Sequence, residues 1–322
     1  MRIKITKRSG HNVYGEGGMF GKLKYGFEKL GHEVVEDCEE LLIVPGTSED
    51  LAELETFNDV KKIWWTHGVN WARGFENEDL TVFKNNYDNC DVIVYQSEFA
   101  KHMVEKAFGP KDGPIIWNAS IPDIPEKFIE YKEGEEIKLV ACSVWRAWKR
   151  LHEIERLVRL MASKGHKINL RVIGKDPADG CPFQEPKEGE NYKIEYMGMM
   201  NLEQMKPIYN DSHIGVHLAF NDYSPASVTE MMASGLPVIV TDSGGSKDIV
   251  QNKGGLVIET DPFVDTSFNI HREDVLPKVD NQRFVLTLFT MISNLSEYQQ
   301  RNKVWVEQEA NCIFQAEKFL SL

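Results

Sequence analysis

Short runs of aliphatic and β-branched residues recur along the chain, each followed by turn or capping residues and then an amphipathic stretch. Residues 2–6 alternate as RIKIT, and the compact runs LLIV (41–44), IWW (63–65), DVIVYQ (91–96) and IIWN (115–118) read as strands of a buried sheet. A polar, glycine-containing loop through Tyr14, Gly15, Gly17 and Gly18 leads from the first strand into a helix with Phe20, Leu23, Phe27 and Leu30 on one face. Residues 97–109 predict a second helix, capped by Ser97, with Phe99, Met103 and Phe108 inward.

The same alternation returns in the second half. IKLVACS (137–143) is a strand, and a basic loop with Arg146, Lys149 and Arg150 at its C-terminal end leads into an amphipathic helix. LRVIGKD (170–176) and KIEYMG (193–198) are further strands, and Asn201 with Gln204 has the spacing of a capping box before the next helix. In the stretch 221–250, Ser224 is placed to cap a helix that begins at Pro225, since proline at the first helical position gives up an N–H that has no partner there. Val228, Met231 and Met232 line one side of it, Gly235 and Pro237 end it, VIVT (238–241) is a strand, and Gly244-Gly245 permits a tight turn. The chain closes with a strand at 254–257, a helix from Phe284 onward and a final helix around 304–320.

Strand and helix alternating throughout predict an α/β fold with parallel sheets. The proline- and charge-rich segment 121–136 interrupts the pattern and reads as a linker. We therefore expect an N-terminal domain over 1–125, to which the helix 304–320 returns, and a C-terminal domain over 137–303.

Composition adds constraints. A chain of 322 residues, 42% hydrophobic and 27% charged, suits two soluble globular domains. Its formal net charge of -13 argues against duplex nucleic acid as a partner, because phosphate contacts need clustered cations. There is no run of 18 or more apolar residues and no signal-peptide pattern, so a cytoplasmic location is expected, with peripheral membrane contact left open. The five cysteines are scattered without a CxxC pair, as expected for free thiols in a reducing compartment.

The chemistry concentrates at 221–250. A polar loop before a helix start offers free N–H groups and the positive end of a dipole to a phosphate or a sugar hydroxyl, and Asp222 and Glu230 bracket that start. Arg146, Lys149 and Arg150 precede another helix, where positive charge opposes the dipole and calls for an anion. His67 follows the strand at 63–65, and Trp65, Trp71 and Arg73 crowd the same segment, where aromatic faces could stack on acceptor sugar rings.

An acid, seven residues, a Glu, a small-residue helix end, GLPV, a strand and GG together resemble the retaining GT-B glycosyltransferases of family 4, the glycosyl transferases group 1. The resemblance implies two Rossmann-like domains facing a cleft and retaining transfer of a sugar from a nucleotide-diphosphate donor to a hydroxyl acceptor such as a glycan. It implies that Asp222 touches the donor sugar hydroxyls, Glu230 the ribose, and Arg146 and Lys149 the diphosphate. Gly17 and Gly18 would lie over the diphosphate, Gly198, Met199 and Met200 near the base, and Tyr223, Ser224 and Ala226 at the donor-facing helix start. His67 would face the reacting sugar. No metal or other cofactor is implied beyond the sugar nucleotide as co-substrate. Two departures stand out: Asp222 is one methylene shorter than the family's usual Glu, and Arg150 replaces a glycine that often follows the lysine. A sugar-nucleotide epimerase of the same architecture, a sugar-nucleotide-binding subunit without catalysis, and transfer to a nucleic-acid base are the alternatives.

Overall fold

The structure, a computed structural model, describes residues 1–5, 16–35, 40–45, 59–69, 80–175, 186–260 and 276–322. In the first half β1 (Arg2–Ile5), α1 (Glu16–Lys29), β2 (Glu33–Val34), β3 (Leu41–Pro45), β4 (Lys61–Thr66), α2 (Thr81–Asn89), β5 (Val92–Tyr95) and α3 (Glu98–Phe108) follow in order. The strands form a five-stranded parallel sheet, β2-β1-β3-β4-β5. Both faces are covered, which explains why adjacent tryptophans of β4 are both fully buried. Trp64 packs on the side of Phe83, Phe99 and Met103, whereas Trp65 packs on the side of Met19, Leu23 and Phe319. Ser97 caps α3 as predicted, accepting from the Ala100 N–H at 3.0 Å.

The second half contains β6 (Ile137–Cys142), α4 (Leu151–Ser163), β7 (Ile168–Ile173), β8 (Lys187–Gly189), β9 (Tyr192–Gly198), α5 (Leu202–Asn210), β10 (Ile214–His217), α6 (Ala226–Ala233), β11 (Val238–Thr241), α7 (Ser246–Val250), β12 (Gly255–Ile258), α8 (Asn281–Ser293) and α9 (Leu295–Gln308). Its seven-stranded sheet runs β12-β11-β10-β6-β7-β9-β8, parallel except for the hairpin of β8 on β9. The strand order departs in opposite directions from β6: β7 and β9 lie on one side, β10, β11 and β12 on the other. The loops after β6 and β10 therefore leave neighbouring strands at the same sheet edge, at a topological switch point, where open α/β sheets place ligands. The capping box of α5 is present in full, with Gln204 N–H to Asn201 Oδ1 and Asn201 N–H to Gln204 Oε1 both at 3.0 Å.

The last element is α10 (Cys312–Leu320). The chain forms two compact units, one of Met1–Ile121, Tyr223–Ala226 and Gln308–Leu322, the other of Pro122–Asp222 and Ser227–Glu307. The single final helix expected over 304–320 is instead the end of α9 and a separate α10. Asn311 breaks it, its Oδ1 accepting from the N–H groups of Ile313 and Phe314 at 3.0 Å to start a new helix. In the first unit α10 packs against α1, where a Cβ on Gly26 would come within 2.1 Å of the Cys312 carbonyl oxygen. Residues 115–118 make only a bridge at Ile115 to Tyr95 and not the predicted strand. Pro114 just before it has no N–H to give a ladder, and the Trp117 carbonyl is taken by Gln315 at 2.6 Å. Cys90, Cys142 and Cys312 are buried free thiols. Among the described residues no helix is long and apolar enough to cross a membrane.

Candidate functional site

At the switch point the loop after β6 meets the segment after β10. The first turns as a short 3-10 helix over Ala147–Lys149, and the Phe220 N–H donates to the Trp148 carbonyl at 2.7 Å, tying the two loops together. Asn221 adopts a left-handed conformation (φ 52°) and is held by Ser243, whose Oγ accepts its N–H at 2.9 Å and donates to its Oδ1 at 2.8 Å. Asp222 then runs beside Gly244, with its carbonyl accepting the Gly245 N–H at 2.7 Å. Gly244 has φ +83°, and a Cβ there would come within 2.5 Å of the Asp222 carbonyl oxygen, so the predicted glycine turn is a requirement of this close approach.

The backbone so fixed aims the Asp222 carboxylate at Lys149, with which it forms a direct ion pair, and at His217, whose Nε2 lies 3.2 Å from Oδ2. Both contacts fall on Oδ2; among the described residues none reaches Oδ1. Burial alone would raise the Asp222 pKa, but the Lys149 charge and the His217 hydrogen bond outweigh it and hold the carboxyl far below the usual carboxylate range. Burial lowers the His217 pKa, with the Asp222 carboxylate opposing. Neutral His217 thus donates Nε2–H to an ionised Asp222. The result is a carboxylate locked by two donors on one oxygen, with lone pairs on the other that no described residue takes.

Other expected residues distribute unevenly. Arg146 is exposed, its guanidinium 5.1 Å from the Trp148 ring, in the same loop as Lys149. Gly198, with Met199 and Met200 after it, ends β9 on the same sheet edge; Gly198 has φ +76° and accepts the Gly174 N–H at 2.9 Å. Glu230 lies within α6, partly buried. Gly17 and Gly18 are not loop residues: both belong to the first turn of α1, which starts at Glu16. Trp71 and Arg73 lie outside the described residues.

Trp65 and Ser224 differ from expectation, and the Tyr223 side chain is engaged within the first unit. Trp65 is 0% exposed in the core of the first unit, against Phe319 and His67, and presents no face to an acceptor. Tyr223 belongs to the first unit, where its hydroxyl donates to the Val69 carbonyl and its ring packs on Phe99 and over Gly68. Its side chain is therefore committed to packing. Ser224 does not cap α6: the helix starts at Ala226, the Ser224 carbonyl accepts from Asn118 at 2.7 Å, and its buried hydroxyl has no hydrogen-bond partner among the described residues. Ala226 packs against the core of the first unit.

His67 follows β4 in the first unit. Its ring is enclosed by Phe20 and Trp65 at 6.2 and 5.6 Å, although the residue as a whole is only partly buried. Burial lowers its pKa to about 4, so it is neutral near pH 7.

One residue of this cluster was not singled out by the sequence, and the burial of another, Arg150, was not visible in it. His217 sits in β10, whose residues are buried throughout, so no alternation singles it out. Arg150 looked like one more cation of a basic loop; the structure places it in the left-handed region, fully buried.

Comparisons with known proteins bear on this edge of the second sheet. Residues 137–267 match the family model described as glycosyl transferases group 1. Among curated protein sequences none matches this chain. Among solved structures, the HepE protein of Anabaena in complex with UDP-glucose is similar over 100% of this chain and 98% of its own, at 12% identity and a TM-score of 0.64. Sucrose-phosphate synthase from Thermosynechococcus elongatus is similar over 99% of this chain and 97% of its own, at 14% identity and a TM-score of 0.66. TarM is similar over 93% of this chain and 57% of its own, at 18% identity and a TM-score of 0.59. The chain thus has the GT-B architecture of two parallel-sheet domains, and the stretch of the second that is similar to the glycosyl transferases group 1 model contains Lys149, His217, Asp222 and Glu230.

Proposed function

We propose that this protein is a retaining, metal-independent glycosyltransferase that moves a sugar from a nucleotide-diphosphate donor to a hydroxyl of a glycan or glycoconjugate. The observation that carries the reading is the Asp222 carboxylate, tied on Oδ2 by Lys149 and His217 at the switch point of the matching region, with Oδ1 open. The match to the family model supports transfer of sugar, and HepE, similar in fold, is a protein seen with UDP-glucose.

In this reading the open Oδ1 accepts from donor sugar hydroxyls and Glu230 from the ribose. Lys149, Arg146 and the free N–H groups at the start of α6 offset the charge that grows on the leaving diphosphate. Removing one such donor typically costs about 10² to 10³ in rate. The sugar's C1–O bond to phosphate breaks while a C1–O bond to the acceptor forms on the same face, and the acceptor's proton passes to the departing phosphate oxygen. His67, neutral at pH 7, positions the sugar by hydrogen bonding and takes no proton. The acceptor side falls to the first unit, with Trp71 and Arg73 as its candidates.

The experiment is release of nucleoside diphosphate from UDP-, GDP- and ADP-sugars with a panel of glycan acceptors, with NMR assignment of the product anomer. Turnover that keeps the donor's anomeric configuration and survives EDTA supports the proposal. An inverted product, or dependence on added divalent metal, overturns the retaining or metal-independent part. Donor binding without turnover on any acceptor favours the non-catalytic alternative.

A further inference from the structure

The three cations of the loop after β6 are in three different states. Lys149 is paired with Asp222, and Arg146 is exposed over the Trp148 ring. Arg150 is 0% exposed, and its Nε and both terminal nitrogens are buried with no hydrogen-bond partner among the described residues. The guanidinium lies 5.0 Å from the Phe220 ring, two residues before Asp222. The carboxylates that act on it electrostatically are Glu153 and Asp242, and each is committed elsewhere. Glu153 accepts from Arg156 and from the Val279 N–H, and Asp242 from the N–H and hydroxyl of Thr260.

Several unfavourable features coincide at this residue. Its backbone is left-handed (φ 55°, ψ 42°), a conformation that disfavours a side chain. It puts a positive charge at the N-terminus of α4, against the helix dipole. It also buries a cation whose donors are unmet. Such costs gathered at one residue beside a ligand site mark a residue kept for function. Replacing it by glycine would remove all of them.

We propose that Arg150 is the inner charge of the donor's diphosphate site, a positioning residue that favours a bound diphosphate through the buried loop it shares with Lys149, without touching the ligand. This rests on the donor-site reading above. Lys149 is already partnered by Asp222, whereas Arg150 has no hydrogen bond or direct ion pair among the described residues, so a bound dianionic group would offset its charge most. A buried charge is screened less than an exposed one, so it would favour an anion bound at this loop.

The test uses inorganic pyrophosphate, UDP, GDP and ADP as probes, with calorimetric affinities and melting temperatures for wild type, Arg150→Gly, Arg150→Lys and Arg150→Met. The expected result is an Arg150→Gly protein that melts no lower than wild type without ligand yet binds pyrophosphate at least tenfold more weakly. Arg150→Lys should keep most of the affinity, and Arg150→Met should lose it. Pyrophosphate affinity in Arg150→Gly within twofold of wild type overturns the inference, as does equal loss in the Lys and Met variants, which would make shape rather than charge decisive. Wild type that binds none of the four probes defeats the donor-site reading and this inference with it. Wild type that binds, with Arg150→Gly unchanged, defeats this inference alone.

Discussion

Two carboxylates of the second unit, Glu155 and Asp222, are both largely buried, both paired with cations and both shifted below the ordinary carboxylate range. They differ in how their oxygens are used. Glu155 on α4 has both oxygens filled: Oε1 accepts from the Tyr196 hydroxyl, and Oε2 from Lys187 at 2.9 Å and Arg159 at 2.8 Å. Asp222 has its two contacts on one oxygen and, among the described residues, none on the other. A low pKa therefore does not separate a structural carboxylate from a ligand-binding one, since closed ion-pair networks produce the same shift. The lone pairs left open among the described residues are what differ, together with position: Asp222 stands at the switch point, as the proposed donor site requires, whereas Glu155 ties α4 to β8 and β9.

This contrast can be broken experimentally. Asp222→Asn should lower turnover by about 10²-fold or more, by analogy with loss of one transition-state donor, while circular dichroism and melting stay near wild type. Glu155→Gln should do the reverse, costing about 1–3 kcal/mol of stability through cations left partly unmet, with donor affinity unchanged. Urea unfolding measures the first quantity and nucleotide calorimetry the second; equal effects of both variants on both readouts would dissolve the distinction. His217→Ala removes one donor to Asp222, and a hydrogen bond to a charged group is worth about 1.5–3 kcal/mol, so kcat should fall about tenfold or more at pH 7. Addition of imidazole with partial recovery would identify the lost donor as the cause.

The smallest effect concerns His67. Its folded pKa of about 4 lies below the unfolded value of about 6.5, so between these the unfolded chain binds more protons. Its contribution to stability is complete above about pH 6.5 and is lost as the pH falls toward about 4. His67→Gln should make the urea midpoint fall less steeply from pH 7 to pH 5. An unchanged slope would assign the loss to the other buried histidines, His213 and His217, whose pKa values burial also lowers.

Much of the fold was legible because it rests on local signals. The glycine turn at Gly244, the cap at Ser97 and the capping box at Asn201 are short-range requirements of the backbone, written in a few adjacent residues. The residues 221–250 pattern was legible for a related reason, since a long spaced pattern places it within the region that matches the family model. What was not legible depends on what packs behind each residue. Trp65 read as an acceptor surface because alternation points one of two neighbouring tryptophans outward, and only the second layer of helices shows that no outward side exists on β4. Ser224 and Pro225 form a strong cap signal, yet the segment serves the first unit and the helix starts a residue later. His217 was hidden, and the burial of Arg150 was not foreseen, because packing and not sequence neighbours gives each its character.

The central claim is that Lys149, Asp222 and His217 form the donor site. Its most direct test is calorimetric binding of UDP, GDP and ADP to wild type and to Lys149→Met. Lys149→Met removes the cation and leaves a side chain of similar length. The account predicts that at least one nucleotide binds wild type and that its affinity drops about tenfold or more in the variant, with the fold intact by circular dichroism. A nucleotide that binds both proteins equally well would place the donor elsewhere and contradict the account.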